Sequence, residues 1–165
     1  MKKIGITGSL ASGKTSASKI LSFRKGPLFS ADKVVKDLYQ KETIKKIIAE
    51  KFKIKKLNSI KNILKEKRLD NRSNIKKLEK ILHPLVRKEM FKFIRKNKNK
   101  KFIFLEIPLL IESKLMKNFD IIFFIKAKKS IRLKRFRSKG GSKRLFDLLN
   151  NHQLVDIKKG KYCDH

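Results

Sequence analysis

Residues 8–15 read Gly8-Ser9-Leu10-Ala11-Ser12-Gly13-Lys14-Thr15, and this segment says most about how the chain folds. It matches G-x-x-x-x-G-K-[ST] at every fixed position. The apolar run Lys3 to Thr7 before it predicts a strand, and apolar residues at helical spacing after Lys14 predict a helix. Such a turn lets successive backbone N–H groups point at one anion, toward which the positive end of the helix is also directed. The sequence therefore predicts an anion-binding loop between a strand and a helix.

The spacing of this loop suits the phosphate groups of a nucleotide. Lys14 can reach the β- and γ-phosphates, and the Thr15 hydroxyl can ligate Mg²⁺. The alternative is an ordinary strand-to-helix turn in which the lysine is accidental. The motif alone does not distinguish phosphoryl transfer from a hydrolysis-driven switch. We expect the phosphates to contact the loop and the first turn of the helix, that is Gly8, Ala11, Ser12, Gly13, Lys14, Thr15 and Ser16.

The remaining chain alternates between apolar runs and helical patterns. Short runs at 28–30, 102–107 and 121–125 predict three more strands, and the last two are apolar enough to be covered on both faces. Residues 42–97 read as mostly helical, with Pro84 starting a new helix. Further helices are predicted at 130–137 and 145–153, whereas the last dozen residues have no clear periodicity. Strands separated by helices favour a parallel α/β sheet with right-handed crossovers.

An acidic residue, Asp32, comes just after the second predicted strand. Ligands of open α/β sheets lie at the carboxyl ends of the strands, so Asp32 would face the same crevice as Lys14. A carboxylate there could accept a proton from an attacking hydroxyl, or help to hold Mg²⁺. The equally good alternative is that Asp32 only caps the helix that follows.

The composition limits the class of protein. The 165 residues are 40% hydrophobic, which is enough for one core despite 36% charged residues. The single cysteine, Cys163, excludes an intramolecular disulfide and a multi-cysteine zinc site. No apolar run approaches the roughly 18 residues of a membrane span, and the first residues lack a signal-peptide core. We therefore expect a soluble, cytoplasmic protein without a membrane partner.

The net charge of +32 comes from 46 Lys and Arg residues against 14 Asp and Glu residues. Such a charge binds phosphate backbones non-specifically. However, lysine outnumbers arginine roughly four to one and is spread over the whole chain. A genome rich in A and T favours codons for Lys, Ile and Asn, so mutational bias can produce this composition. We expect no specific nucleic-acid partner.

Four segments together resemble the dephospho-CoA kinase family. They are the loop at 7–15, Ser30-Ala31-Asp32 with Leu38 and Tyr39 downstream, His83-Pro84-Leu85-Val86, and Ile107-Pro108-Leu109-Leu110-Ile111-Glu112. The loop is generic, but the two later segments are much more specific. The resemblance spans residues 3 to about 164.

The resemblance implies an α/β, three-layer P-loop kinase fold with a five-stranded parallel sheet, similar to the nucleoside-monophosphate kinases. Within a single domain 1–165, residues about 1–41 and 100–129 would form the core, about 42–99 a helical substrate-binding region, and about 130–153 the lid with its flanking helices. The implied reaction transfers the γ-phosphoryl group of ATP, with Mg²⁺, to the ribose 3′-hydroxyl of dephospho-CoA and gives coenzyme A and ADP. The oligomeric state stays open.

The family pattern also implies roles near the reacting phosphate. By position, Asp32 matches the general base, and it would act with Lys14 as a catalytic residue. Arg135 matches a lid arginine that closes over the phosphates; its alternative is a solvated cation on a basic helix. Glu106, which ends an apolar strand, could reach a magnesium-bound water.

Further residues are implied on the acceptor side. His83 and Pro84 match the segment that shapes the acceptor site, and Pro108, Leu109 and Glu112 would be substrate-binding. The alternatives are a helix-end histidine satisfied by backbone for His83 and core packing for Pro108 and Leu109. Glu112 could instead be the structural partner of a lysine or an arginine.

The chain departs from the family pattern at several positions. Ser30 replaces the first Asp of an Asp-Ala-Asp motif, Lys139 replaces a second lid arginine before a looser turn at Gly140-Gly141, and Ser59 stands about where an arginine is expected. A final strand, a loop that helps to hold adenine, and a last helix are not recognised after Asp164, which predicts weak ATP binding or marginal stability. The rival functions are another small-molecule or nucleoside-monophosphate kinase, a basic nucleic-acid-binding protein and a non-catalytic remnant.

Overall fold

The computed structural model describes residues 1–53 and 72–165. Its strands are β1 (Lys2–Gly8), β2 (Leu28–Ser30), β3 (Phe102–Glu106) and β4 (Ile121–Ile125). In the described part of the chain they form one parallel sheet in the order β2-β3-β1-β4. The predicted three-layer α/β fold with a parallel sheet is confirmed. The described residues form four strands, against the five that the resemblance implies.

In the described ranges, helices follow the strands along the chain. They are α1 (Lys14–Ser22), α2 (Ala31–Gln40), α3 (Glu42–Lys51), α4 (Arg72–Lys96), α5 (Lys129–Arg137), α6 (Lys143–His152) and α7 (Asp156–Gly160), with a 3₁₀ turn at Met116–Asn118. None of the helices in the described ranges is both long and apolar enough to cross a membrane.

Two sequence-based expectations about the helices were wrong. Pro84 does not start a helix but lies inside α4. Because proline has no backbone N–H, Pro84 cannot donate a hydrogen bond to the Lys80 carbonyl. The helix nevertheless continues, because Pro84 is exposed and the apolar residues Ile75, Leu78 and Leu82 keep one buried face through this part of the helix. Asp32 lies within the first turn of α2 and is not its cap. The polar end of the chain also contains a helix, α7.

Apolar residues of neighbouring strands form a core on the sheet. Ile4, Ile6 and Phe104 are buried in one cluster, against which Leu21 of α1 and Leu28 of β2 pack. Because the strands are parallel, the carboxyl ends of β1, β2 and β3 lie at the same edge of the sheet. In register, Ile6 pairs with Glu106 on one side and Ser30 pairs with Glu106 on the other. The sheet therefore places the end of β3 between the loop after β1 and the end of β2.

The chain divides into two compact units. One contains Met1–Ala31 and Met90–His165, and so includes the whole sheet, α1 and the helices after β4. The other is Asp32–Glu89, which contains most of α2, all of α3 and the first part of α4. The substrate-binding region expected at about 42–99 stays a prediction. The sequence also predicts a loop or helix junction from Lys65 to Asn74, but its last residues, Arg72 to Asn74, belong to α4. The rest of that stretch and Ser59 lie outside the described residues.

The outer edge of β4 is paired over part of its length. The Phe124 N–H donates to the His165 carbonyl at 2.7 Å, and the Asp164 N–H donates to the Ile122 carbonyl at 2.9 Å. The Asp164 side chain accepts from the Ile122 N–H at 2.8 Å. The last residues of the chain therefore run along this edge of the sheet.

Candidate active site at the carboxyl edge of the sheet

The loop between β1 and α1 has a backbone that only certain residues adopt. Gly13 has φ 101° and Gly8 has φ 155°, while Ala11 is left-handed at φ 58°. A Cβ atom on Gly8 would lie 2.4 Å from the Ile125 carbonyl oxygen. The Ser12 N–H donates back to the Ser9 carbonyl at 3.1 Å, which closes the turn. The motif therefore forms the compact strand–turn–helix geometry expected from its glycines.

The lysine of the motif lies against its own loop. The Lys14 side chain is buried, and its Nζ donates to the Ser9 carbonyl at 3.0 Å. A buried ammonium group beside the first turn of a helix is a favourable partner for an anion, because its interaction is weakly screened. This placement is consistent with the predicted phosphate contact of Lys14, which stays a prediction.

Thr15 and Glu106 meet at the carboxyl end of β3. The Thr15 hydroxyl donates to Glu106 Oε1 at 2.7 Å. Glu106 is fully buried, and its second oxygen, Oε2, has no hydrogen-bond partner. An orphaned carboxylate oxygen next to a hydroxyl is a donor set that suits Mg²⁺, which binds through one or two protein groups together with substrate phosphates. In the described ranges, no three acidic, histidine or cysteine side chains are grouped to hold a metal by themselves.

The acceptor-side residues Asp32, His83 and Pro84 belong to the unit Asp32–Glu89. Asp32 is exposed and follows Ser30 by two residues in the sequence. His83 and Pro84 line a groove of about 420 Å³ on α4, together with Lys76, Glu79 and Lys80. The predicted substrate residues on α4 thus adjoin a concave surface with two lysines.

The segment after β3 contains both structural and accessible residues. The Pro108 carbonyl accepts from the Thr7 hydroxyl at 3.1 Å, and Leu109 is half-buried. Glu112 Oε1 bonds the fully buried Lys159 Nζ at 2.8 Å and accepts from the Leu154 N–H at 3.1 Å. Glu112 therefore has the lysine partner that its structural alternative requires, whereas its contact with substrate stays a prediction.

The helices after β4 reach the phosphate loop at several points. Arg135, the expected lid residue, donates to the Ser12 carbonyl at 3.0 Å. Three other contacts were missed by sequence reasoning. Arg132 donates to the Leu10 carbonyl at 3.3 Å, Gln153 accepts from the Leu10 N–H at 3.1 Å, and Asp156 accepts from the Ser9 hydroxyl. No local signal separates these side chains from solvated ones, because their partners are far away in the sequence.

The two glycines between α5 and α6 have steric roles. Gly140 is left-handed at φ 84°, and a Cβ atom on Gly141 would lie 2.1 Å from the Phe136 ring. The Gly141 N–H donates to the Phe136 carbonyl at 3.1 Å. Gly141 is thus closely packed on α5, whereas the looser turn expected at Gly140-Gly141 stays a prediction.

Three side chains outside the loop have shifted ionisation, and one of them is Cys163, whose thiol pKa is raised by burial. Burial raises the pKa of the Tyr39 phenol to about 12. On α6, a hydrogen bond from Lys143 lowers the pKa of the Asp147 carboxyl. None of the three groups lies in the phosphate loop.

The sequence profile described as Dephospho-CoA kinase matches residues 2–164. A dephospho-CoA kinase from Bartonella quintana (strain Toulouse) is 33% identical over 169 residues, which cover 99% of this chain and 87% of that protein. The solved structure of dephospho-CoA kinase from Campylobacter jejuni is 28% identical with a TM-score of 0.64, covering 99% of this chain and 86% of that one. The crystal structure of TT1252 from Thermus thermophilus, 22% identical, shares the fold with a TM-score of 0.77 over 98% of this chain and 85% of that one.

These similarities extend over nearly the whole chain and include the phosphate loop and the sheet edge described above. The chain belongs to the dephospho-CoA kinase family and is a kinase that uses ATP to phosphorylate dephospho-CoA to coenzyme A.

Proposed function

We propose that Lys14 and the amides of the phosphate loop hold the β- and γ-phosphates of ATP while Asp32 acts on the ribose 3′-hydroxyl of dephospho-CoA. The observation that best supports this assignment is the buried Lys14 ammonium, which lies at the Ser9 carbonyl inside a loop with left-handed residues. The loop residues Gly8, Ala11, Ser12, Gly13, Thr15 and Ser16 would surround the phosphates.

The proposed reaction is an in-line transfer of the γ-phosphoryl group. Its transition state is loose, so positioning and charge stabilisation supply most of the acceleration. Lys14 and the loop N–H groups would spread the negative charge of the transferred group. The hydroxyl oxygen attacks phosphorus, ADP leaves, and the hydroxyl proton passes to Asp32.

The role of Asp32 rests on its position in the chain and on the family pattern. It follows Ser30, which ends β2 in register with Glu106, by two residues. Two residues of extended chain span roughly 7 Å at most, so Asp32 starts close to this sheet edge. Ser30 offers only a hydroxyl, so Asp32 is the sole carboxylate of the motif. A carboxylate is a suitable base for a hydroxyl whose acidity rises during the transfer.

Mg²⁺ would be held by Thr15 and Glu106. The Thr15 hydroxyl offers a neutral oxygen, and Glu106 offers a carboxylate with one unpartnered oxygen. A bound Mg²⁺ supplies charge neutralisation for the phosphates. The buried carboxylate is then compensated by the cation instead of remaining alone in the core.

The remaining contacts would enclose the two substrates. Arg135 is exposed and adjoins the loop, so it would close over the phosphates and exclude water. His83 and Pro84, with the groove on α4, would bind the acceptor. Pro108, Leu109 and Glu112, in the segment after β3, would also contact the substrate.

A coupled assay of ADP formation tests these assignments. Dephospho-CoA should support turnover, whereas a panel of nucleoside monophosphates should not. Lys14→Ala should abolish turnover, and Asp32→Asn should lower kcat far more than it changes the affinity for ATP. Asp37→Asn is the matched control, because Asp37 is an exposed aspartate on the same helix. Near-normal kcat in Asp32→Asn would exclude the base assignment.

We further propose that the protein acts in the cytoplasm and has no specific nucleic-acid partner. The high net charge of +32 then reflects composition only. Binding to DNA should collapse as salt is raised and should show no base preference.

A further inference from the structure

Two arginines on α5 bind the phosphate loop in different ways. Arg132 donates from Nη1 to the Leu10 carbonyl at 3.3 Å, and Arg135 donates from Nη1 to the Ser12 carbonyl at 3.0 Å. Arg135 is exposed, whereas Arg132 is only 5% exposed. Arg135 is therefore accessible to a ligand, whereas Arg132 belongs to the interior.

Arg132 is fixed from several directions. Its Nε donates to the Ala127 carbonyl at 3.2 Å, and its Nη1 also donates to Asn150 Oδ1 at 2.7 Å. The guanidinium lies over the Phe146 ring, 5.7 Å from the centroid. Since α6, the phosphate loop and the segment between β4 and α5 all contact it, Arg132 has little freedom to swing toward a bound nucleotide.

The contact with Leu10 has a consequence for the backbone of the loop. The peptide unit is planar and trans, so its C=O and N–H groups point in opposite directions. Holding the Leu10 carbonyl toward Arg132 therefore directs the Ala11 N–H to the opposite side. In the described residues no acceptor is paired with this N–H group. The preceding peptide unit is also fixed, because its N–H donates to Gln153 at 3.1 Å and its carbonyl accepts from Lys14 at 3.0 Å.

The charge of Arg132 also favours an anion at the phosphate loop. Its acceptors in the described ranges are two backbone carbonyls and an amide oxygen, with no carboxylate. The buried Lys159, in contrast, is paired with Glu112 at 2.8 Å. A buried cation without an anionic partner is costly to the fold. Next to the phosphate loop, its uncompensated charge favours an anion.

We propose that Arg132 is a positioning residue for nucleotide binding, which holds the Leu10–Ala11 peptide so that the Ala11 N–H faces the phosphates. It acts through the loop and does not itself contact ATP. This inference rests on the proposed role of the loop as the phosphate site.

The test compares Arg132→Gln with Arg137→Gln by calorimetric titration with ATP and with inorganic triphosphate. Arg137 is an exposed arginine on the same helix, so both variants lose the same charge. Arg132→Gln should weaken both ligands about tenfold, as for the loss of one charge-assisted hydrogen bond. Arg137→Gln should stay within about twofold of the unmodified protein. In kinetics, Arg132→Gln should raise KM for ATP and leave KM for dephospho-CoA unchanged.

Arg132→Lys is the second variant, because it keeps the charge and folds more readily if the glutamine variant fails. Its affinity for triphosphate should lie between those of the unmodified protein and of Arg132→Gln. A lower melting temperature with unchanged affinity for triphosphate would reduce Arg132 to a structural residue and overturn the proposal. An equal loss in Arg137→Gln would also overturn it, since long-range charge alone would then explain the effect.

The Lys14→Ala variant distinguishes a failure of the proposed phosphate site from a failure of the role proposed for Arg132. If it retains affinity for triphosphate, the loop is not the phosphate site, and the proposed function fails together with this inference. If Lys14→Ala loses the affinity while Arg132→Gln keeps it, only the role of Arg132 is refuted.

Discussion

Replacing Lys159 by methionine removes the cationic half of a buried ion pair. Lys159 is fully buried, and its Nζ lies 2.8 Å from Glu112 Oε1 and 3.4 Å from Gln153 Oε1. The Glu112 side chain is 17% exposed, and Oε1 also accepts from the Leu154 N–H at 3.1 Å. The second oxygen, Oε2, is buried without a partner. The carboxylate therefore depends on Lys159 for most of its compensation.

The expected loss of unfolding free energy follows from these environments. Breaking a buried pair by removing one partner costs about 3–5 kcal/mol. Lys159→Met should cost about 3 kcal/mol, because Glu112 keeps the Leu154 N–H and is partly exposed to solvent. Glu112→Gln should lie nearer about 5 kcal/mol, because it leaves a fully buried ammonium with amide oxygens only. The double variant should lose less than the sum, since neither charge is left alone.

Urea denaturation followed by circular dichroism gives these free energies. For a chain of this size, a loss of 3 kcal/mol corresponds to a melting temperature lower by about 6–12 °C. Lys158→Met is the matched control, because Lys158 is the exposed neighbour in α7, and its loss should stay within about 0.5 kcal/mol. A loss below about 1 kcal/mol in Lys159→Met would refute the assignment of a structural pair. The KM for dephospho-CoA in Glu112→Gln, measured below its melting temperature, would then decide whether Glu112 binds substrate.

Three further predictions concern single side chains. Burial raises the pKa of Tyr39 to about 12, whereas the unfolded chain loses this proton near pH 10. The free energy of unfolding should therefore fall as the pH rises above about 10. In urea denaturation, Tyr39→Phe should remove about 1 kcal/mol of the fall in unfolding free energy between pH 9 and pH 11. Glu106→Gln keeps an acceptor for Thr15 but removes the charge, so the Mg²⁺ concentration at half-maximal rate should rise about 10- to 100-fold in a metal titration at saturating ATP. Gly8→Ala places a Cβ atom 2.4 Å from the Ile125 carbonyl oxygen, so it should cost at least about 3 kcal/mol in a denaturation experiment and abolish ATP binding.

Each of these three predictions has a contradicting outcome. If the free energy of unfolding depends on pH equally with and without the Tyr39 hydroxyl, this phenol does not cause the loss of stability at high pH. An unchanged Mg²⁺ requirement in Glu106→Gln would remove that carboxylate from the metal site. Gly140→Ala is the control for Gly8→Ala, because nothing lies within 4 Å of its Cβ position although its φ is 84°. If both alanine variants lose the same stability, the crowding at Gly8 is not the cause.

The sequence was sufficient for features that depend on local patterns. The loop motif predicted a strand, a turn and a helix, and β1 and α1 confirm them. The apolar runs at 28–30, 102–107 and 121–125 correspond to β2, β3 and β4. Most residues of these strands are apolar, so no long-range information is needed to find them.

Features that depend on distant partners could not be predicted. Arg132 stands in a helix with many exposed basic residues and looks like one of them, yet it is buried by Leu10 and Asn150. Lys159 likewise lies in a polar segment, and its partner Glu112 is 47 residues earlier. The proline in α4 misled for a related reason: one missing hydrogen bond suggests a break, but packing of the apolar face maintains the helix.

The hydrogen bond between Lys14 and the Ser9 carbonyl also affects the rate and the enthalpy of nucleotide binding. The ammonium has already shed most of its hydration during folding, so an arriving triphosphate exchanges one oxygen acceptor for another. Little ordered solvent has to leave the cation at the moment of encounter, and only a short side-chain movement is required. Capture should therefore be fast, with a favourable enthalpy that comes from replacing a neutral oxygen by a charged one.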